Sequence, residues 1–233
     1  MKKAIIIGAS IGIGKALAKV LLENGYKLGI TGVEKEILNQ ITHKNLKVKF
    51  FDCTAHQSSA IINELIEWLD GLDLLVFSAG IGHLDKNLGY TVENEANELN
   101  VLAFTKIADK SFRYFERKGQ GHFVAITSIA GLKGHRIAPA YHAAKSYQIS
   151  YLEGLRHKAK KTKLPITITD IRPGFIDTGL VNKNHFWLAT KEKAAYQIFQ
   201  IIRKKRNIGY VTKRWSIIAL VLKLIPNWLY NRL

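Results

Sequence analysis

The 233-residue chain, 47% apolar and 23% charged, has the length and composition of one folded domain, with no linker, low-complexity tract or fixed-period repeat to divide it. Its formal charge of +17 favours anionic partners such as nucleotides, nucleic acid or acidic lipid, and the basic residues gather late, from Arg156 to Lys163, from Arg203 to Arg206 and at Lys213 and Arg214. The single Cys53 excludes an intramolecular disulfide and points to a reducing, cytoplasmic compartment, while Gly8, Gly12 and Gly14 interrupt an opening apolar run that could otherwise imitate an export signal.

Along the chain, short apolar runs alternate with helical periodicities, the pattern of successive βαβ units. Strands are expected at Lys3 to Gly8, Lys27 to Thr31, Lys47 to Asp52, Asp73 to Ser78, Gly121 to Ser128, Ile166 to Ile171 and Ile208 to Thr212, each rich in Ile, Val, Leu or Phe. Right-handed crossovers between seven such strands predict an α/β fold, a doubly wound seven-stranded parallel sheet whose ligands bind outside the carboxyl ends of the strands. This single domain is expected to cover residues 1–212, followed by a C-terminal segment, 213–233.

The first strand runs into Gly8-Ala9-Ser10-Ile11-Gly12-Ile13-Gly14, and a helix is expected from Lys15 to Glu23. Glycines there allow a tight turn and close backbone approach, and the helix N-terminus offers free N–H groups to a pyrophosphate. Taken alone, the turn could equally be a close-packed corner. Further on, Tyr141-His142-Ala143-Ala144-Lys145 puts Tyr141 and Lys145 on one face of a helix, one turn apart. Ser128, ending an apolar strand, shares the rim of the sheet with the glycine turn. His142 points away from that face and reads as a surface or packing residue.

The glycine turn, Ser128 thirteen residues before Tyr141, Lys145 four after it, and Asn100 upstream resemble the short-chain dehydrogenases/reductases, over nearly the whole chain. Asp52, the run Ser78-Ala79-Gly80, and Pro173-Gly174-Phe175-Ile176-Asp177-Thr178 fall in the same order at the family's distances. Ser78 departs from the family's usual Asn. The resemblance implies a Rossmann fold and an NAD(P)-dependent oxidoreductase that interconverts a carbonyl and an alcohol. Asn100, Ser128, Tyr141 and Lys145 become the catalytic set. Tyr141 is the proton donor, Ser128 steadies the substrate oxygen, Lys145 holds the nicotinamide ribose, and Asn100 anchors a water relay behind the lysine. Elementary electrostatics adds a reason for the pairing: a phenol titrates near 10, and a neighbouring ammonium favours phenolate and lowers that value. A protein of the same fold that senses nucleotide without turnover is the alternative.

The resemblance further implies cofactor contacts at Gly8, Ser10, Ile11, Gly12, Ile13 and Gly14 for the phosphates, Asp52 and Cys53 near adenine, and Ala79 and Gly80 along the ribose. Asn100, Tyr141 and Lys145 also meet the cofactor, with Pro173, Gly174, Ile176 and Thr178 closing over the nicotinamide side. The second strand ends Thr31-Gly32-Val33, without the acid that takes a ribose 2′-hydroxyl or the Arg that takes a 2′-phosphate. Thr31, Gly32 and the basic chain lean toward NADP over NAD, while Glu34 could serve either the ribose or the next helix N-terminus.

No His-Glu-x-x-His, no cysteine pair and no glycine-flanked nucleophilic serine occurs, so metal and serine hydrolase chemistry are not expected. Nor does a nucleic-acid motif accompany the charge. Substrate recognition is expected from Gly131 to Ala140 and from Phe175 to Ala189, where Phe175, Leu180, Val181, Phe186, Trp187 and Leu188 form an apolar cover suited to an apolar or amphipathic carbonyl or alcohol. The C-terminal stretch mixes Trp215, Trp228 and Tyr230 with aliphatics and cations, and its run from Ile217 to Leu222 is far too short to span a bilayer. It reads either as an interfacial helix on the inner face of a membrane or as a cover for the fold or a subunit. The resemblance implies a homodimer or homotetramer.

Overall fold

The computed structural model describes residues 1–55, 58–82, 89–178, 187–230 and 232. Seven strands form one parallel sheet: β1 (Lys3–Ile7), β2 (Lys27–Gly32), β3 (Leu46–Phe50), β4 (Leu74–Phe77), β5 (Gly121–Ile126), β6 (Ile166–Pro173) and β9 (Ile208–Val211). Their order, β3-β2-β1-β4-β5-β6-β9, reverses direction between β1 and β4, so the crevice that a doubly wound sheet offers to ligands opens there. Ile7 pairs with Thr31 on one side and with Phe77 on the other, which brings the ends of β1, β2 and β4 to one rim.

The strands are apolar on both faces because helices cover both. In β1, Ala4 and Ile6 face a core shared with Leu17 and Leu21 of α1 (Gly12–Glu23) and with Ile198 and Phe199 of α7 (Lys191–Arg203). Ile5 and Ile7 face the other way, onto Leu65 of α3 (Ser58–Leu69), Phe104, Phe112 and Phe115 of α5 (Phe104–Lys118) and Leu152 of α6 (Pro139–Thr162). The alternation follows from the two-residue period of a strand. Two smaller helices, α2 (Lys35–Asn39) and α4 (Tyr90–Asn97), complete the wrapping.

Four local features differ from the expectations. Helix α1 begins at Gly12, inside the glycine turn, and β6 extends two residues past Ile171. A π-helical segment, Glu98–Ala103, links α4 to α5 and carries Asn100. A two-residue parallel pair, β7 (Ile176–Asp177) with β8 (Ala189–Thr190), lies outside the main sheet and is too short to leave a periodic signal in the sequence. After β9, helices α8 (Trp215–Leu224) and α9 (Asn227–Tyr230) lie on the fold. Trp215 occupies the space where a Cβ on Gly174 would stand, 2.0 Å from the indole. Its ring meets Phe175 and Trp187 edge-on at 5.4 and 5.8 Å.

Candidate active site

The nucleotide side of the rim is built from backbone. Gly8 has φ +83°, and a Cβ on it would stand 2.5 Å from the amide nitrogen of Ala79, so only glycine lets the ends of β1 and β4 approach. The Thr31 carbonyl accepts the N–H groups of Gly8 and Ala9 at 3.1 and 2.7 Å and fixes the turn to β2. A side chain at Gly14 would collide with the Gly8 carbonyl oxygen at 2.0 Å. Ile11 caps α1 in an extended conformation and makes no side-chain hydrogen bond to its amides, which leaves them to an anion. Ile13 packs on the core. Thr178 closes over the turn: a Cβ on Gly12 would lie 3.4 Å from its methyl group.

The remaining predicted cofactor positions are more mixed. Ala79 and Gly80 follow β4 on the same rim, and a Cβ on Gly80 would stand 3.0 Å from Asn100 Oδ1 and 3.2 Å from Lys145 Nζ. Asp52 is exposed, and its Oδ1 accepts both the amide and the hydroxyl of Thr54, at 2.9 and 2.7 Å. Cys53 is buried; burial, with Asp52 beside it, pushes the thiol up to about 12. Pro173 ends β6, Gly174 is roofed by Trp215, and Ile176 is buried in the core. Leu180, Val181 and Phe186 lie outside the described residues.

Glu34 lies between the glycine turn and the next helix. It stands at the N-cap of α2 without capping it, and its carboxylate accepts the Ser10 hydroxyl of the glycine turn. An acid therefore stands beside the turn, at the end of β2.

The catalytic side is built from side chains. Ser128 begins a 3-10 turn, Ile129–Leu132, in which its Oγ accepts the Ala130 amide at 3.1 Å, and it hydrogen-bonds the Tyr141 hydroxyl. Tyr141 and Lys145 lie on the inward face of α6, with the Lys145 ammonium 5.7 Å from the centre of the Tyr141 ring. Lys145 is 3% exposed and donates to Gln148 Oε1 at 3.0 Å and to the Ile126 carbonyl at 3.3 Å. Asn100 is fully buried, and its Nδ2 donates to the Ile81 carbonyl at 2.6 Å. Its Oδ1 has no hydrogen-bond partner among the described residues.

One expectation is corrected here. Lys145 does not lower the Tyr141 phenol, which burial holds above its ordinary value despite the opposing hydrogen bond from Ser128. The same dry surroundings push the lysine itself down to about 8, against the attraction of Asp170. Charge attraction was the smaller effect, because both groups lose water together. Between Lys145 and Asn100 the structure adds a side chain: Gln148 Nε2 donates to the Asn100 carbonyl at 2.8 Å while its Oε1 receives the lysine. Gln148 was missed although its position, three residues after Lys145, put it on the same helical face.

Behind the site, Asp170 is fully buried, accepts the Thr127 hydroxyl at 2.6 Å and forms an ion pair with Arg172 at 2.7 Å. His142 keeps to its packing role, stacked on His135 with ring centres 5.2 Å apart.

The short chain dehydrogenase family model matches residues 2–188, and the chain belongs to that family of NAD(P)-dependent oxidoreductases. An uncharacterized oxidoreductase of Staphylococcus haemolyticus is 30% identical over 190 residues, 78% of this chain and 81% of its own. One from Staphylococcus aureus is 29% identical over 189 residues, 77% and 80%. Among solved structures, ElxO with NADP bound superposes with a TM-score of 0.82 at 24% identity, covering 92% of this chain and 98% of its own. A short-chain dehydrogenase/reductase from Burkholderia phymatum in complex with NAD reaches 0.85 at 18% identity, covering 94% and 92%. The glycine cradle, where a Cβ on Gly8 or Gly14 would strike backbone, and the uncapped amides of α1 suit a dinucleotide on the rim between β1 and β4.

Proposed function

We propose that the chain reduces the carbonyl of an apolar or amphipathic substrate, or oxidises the matching alcohol, with Asn100, Ser128, Tyr141 and Lys145 as its working residues. The observation that carries this is the convergence of the Ser128 and Tyr141 hydroxyls and the buried Lys145 at the rim beside the glycine turn. The bound nicotinamide nucleotide supplies or accepts the hydride. The chain's own part is the proton. Tyr141, a phenol already protonated at neutral pH and raised further by burial, donates from its hydroxyl to the oxygen that becomes the alcohol, and Ser128 orients that oxygen. Lys145 provides positive charge in a dry site, where it counts most.

Glu34 supports NAD as the preferred nucleotide, against the lean toward NADP drawn from Thr31, Gly32 and the net charge. A carboxylate held by Ser10 can accept from a ribose hydroxyl and repels a 2′-phosphate. Oxidation of NADH and NADPH is to be followed across aliphatic, aromatic, steroid and acyl-chain ketones and aldehydes, with Tyr141→Phe beside the wild type. Turnover with NADH that falls roughly 100- to 10,000-fold in the variant is expected. Nucleotide binding without turnover on any carbonyl would favour the sensor instead, and faster turnover with NADPH would remove the role of Glu34.

The same reading places the enzyme in the cytoplasm as a homodimer or homotetramer, resting on the inner face of a membrane through α8 and α9. Ile217, Leu220, Val221, Leu224 and Trp228 are exposed there, with Lys213, Arg214, Lys223 and Arg232 around them and no acid in 213–233. No helix among the described residues is long and apolar enough to cross a bilayer. An apolar stripe framed by cations suits an anionic lipid surface. Cosedimentation with vesicles containing phosphatidylglycerol, but not with pure phosphatidylcholine vesicles, is the expected result. Protein left entirely in the supernatant with both would sink the membrane reading.

A further inference from the structure

Lys145 and Gln148 are the two polar side chains that α6 buries in its interior face, and they are used on each other. The lysine has three protons to place. One goes to Gln148 Oε1 at 3.0 Å and one to the Ile126 carbonyl at 3.3 Å, while the Gln148 amide, with no exposed surface, gives a proton to the Asn100 carbonyl at 2.8 Å. Three segments far apart in sequence meet in this chain of bonds: β5, α6 and the π-helical segment. A π-helical segment leaves carbonyls out of the α-helical ladder, which gives Asn100 O an acceptor to offer.

We propose that Gln148 is a positioning residue for the reaction: it fixes the Lys145 ammonium between β5 and the π-helical segment and so sets both where the charge sits and how firmly the lysine keeps its proton. The inference rests on the reading of Tyr141 and Lys145 as catalytic. An amide suits this task because it accepts from the lysine and donates to the carbonyl at once, and satisfied chains of buried hydrogen bonds hold their members in one geometry. Gly80 completes the arrangement, since a side chain there would press on both Asn100 Oδ1 and Lys145 Nζ.

Other charges reach Lys145 from several elements. Asp170 on β6 attracts it but is engaged by Arg172 and Thr127, and Tyr141 lies on the same helix. Glu93 of α4 and Glu98 of the π-helical segment form no ion pair with it. Gln148 is thus the direct acceptor whose replacement should be felt.

Gln148→Leu and Gln148→Glu are to be compared with the wild type in three measurements: the pH profile of kcat, the Kd of the nucleotide by fluorescence, and Tm. Leu keeps the volume and removes the acceptor, so the alkaline limb of kcat should move down by about one pH unit and kcat fall roughly tenfold, with a smaller change in nucleotide Kd. Glu adds a negative partner and should move the limb up and restore kcat. Identical limbs in all three proteins, with Tm showing them folded, would overturn the proposal. Should Gln148→Leu not fold, the upward shift in Gln148→Glu decides by itself, and its absence counts against the role. If Tyr141→Phe retains full turnover, the catalytic reading fails first; if Tyr141→Phe is inactive and the limbs do not move, only the role of Gln148 is lost.

Discussion

The inner face of α6 hides a lysine that water would solvate, whereas the outer face of α8 presents to water aliphatic side chains that a core would take. Lys145 is 3% exposed and Leu224 is 71% exposed. Neither placement helps the chain to fold. Moving the lysine from its ordinary 10.5 to about 8 corresponds to a burial cost of roughly 3 kcal/mol. The exposed aliphatics forgo the ~1.5–3 kcal/mol that each could contribute if buried. On α6 the cost is contained by partners within the same molecule: Gln148, Ile126 and, at longer range, Asp170. On α8 only Trp215 and Ala219 are buried, and Leu220, Val221 and Leu224 stay exposed among the described residues. The contrast separates a buried lysine whose partners lie within the chain from an apolar face left exposed among the described residues.

Lys145→Met tests the first half and carries the largest expected effect. Turnover should drop roughly 100- to 10,000-fold, while Tm near neutrality should hold or rise, because the loss of two hydrogen bonds is set against relief of a buried charge. The sign with pH is fixed. The folded value lies below the unfolded one, so the wild type bears the full cost below about 8 and sheds it as pH rises toward 10.5. The wild type should therefore gain stability relative to the variant over that range, and a relative loss in pH-dependent urea melts would break the account.

For α8, Leu220→Asp combined with Leu224→Asp should weaken binding to anionic vesicles by roughly 100-fold. Tm and turnover on a water-soluble carbonyl should stay near wild type, since exposed positions usually change stability by only ~0.5 kcal/mol. A large fall in Tm would show that the face is covered by protein.

The smallest effect sharpens the comparison with a third buried group. His122 is pushed down to about 4, first by burial and then by Lys205 and Lys2. Its Nε2 lies 2.7 Å from the Thr169 hydroxyl, whose own proton goes to the Arg206 carbonyl, so the ring nitrogen is the donor. The folded protein resists protonation that the unfolded chain accepts below 6.5, and stability should fall by up to about 3 kcal/mol between there and 4. His122→Gln should flatten that limb of a stability-against-pH curve.

Much of this was legible in the sequence. Seven runs of Ile, Val, Leu and Phe became the seven strands, the glycine turn fell at the sheet's reversal point, and Tyr141 and Lys145 shared a face because four residues make about one helical turn. Reading failed where a property depends on a partner distant in the chain. The Ser10–Glu34 bond and the Gln148 link to Asn100 join segments 24 and 48 residues apart and carry no local pattern. The phenol of Tyr141 went the wrong way because a spacing rule shows that a cation is near without showing that water is absent.

The indole of Trp215 meets both Phe175, where the chain leaves the end of β6, and Trp187, where it returns toward β8. One ring from outside residues 1–212 thus anchors both ends of the expected substrate cover. Phe175 and Trp187, twelve positions apart in the chain, are thereby held against a single side chain of α8. Shortening the protein ahead of Trp215 would remove the one ring that both positions share.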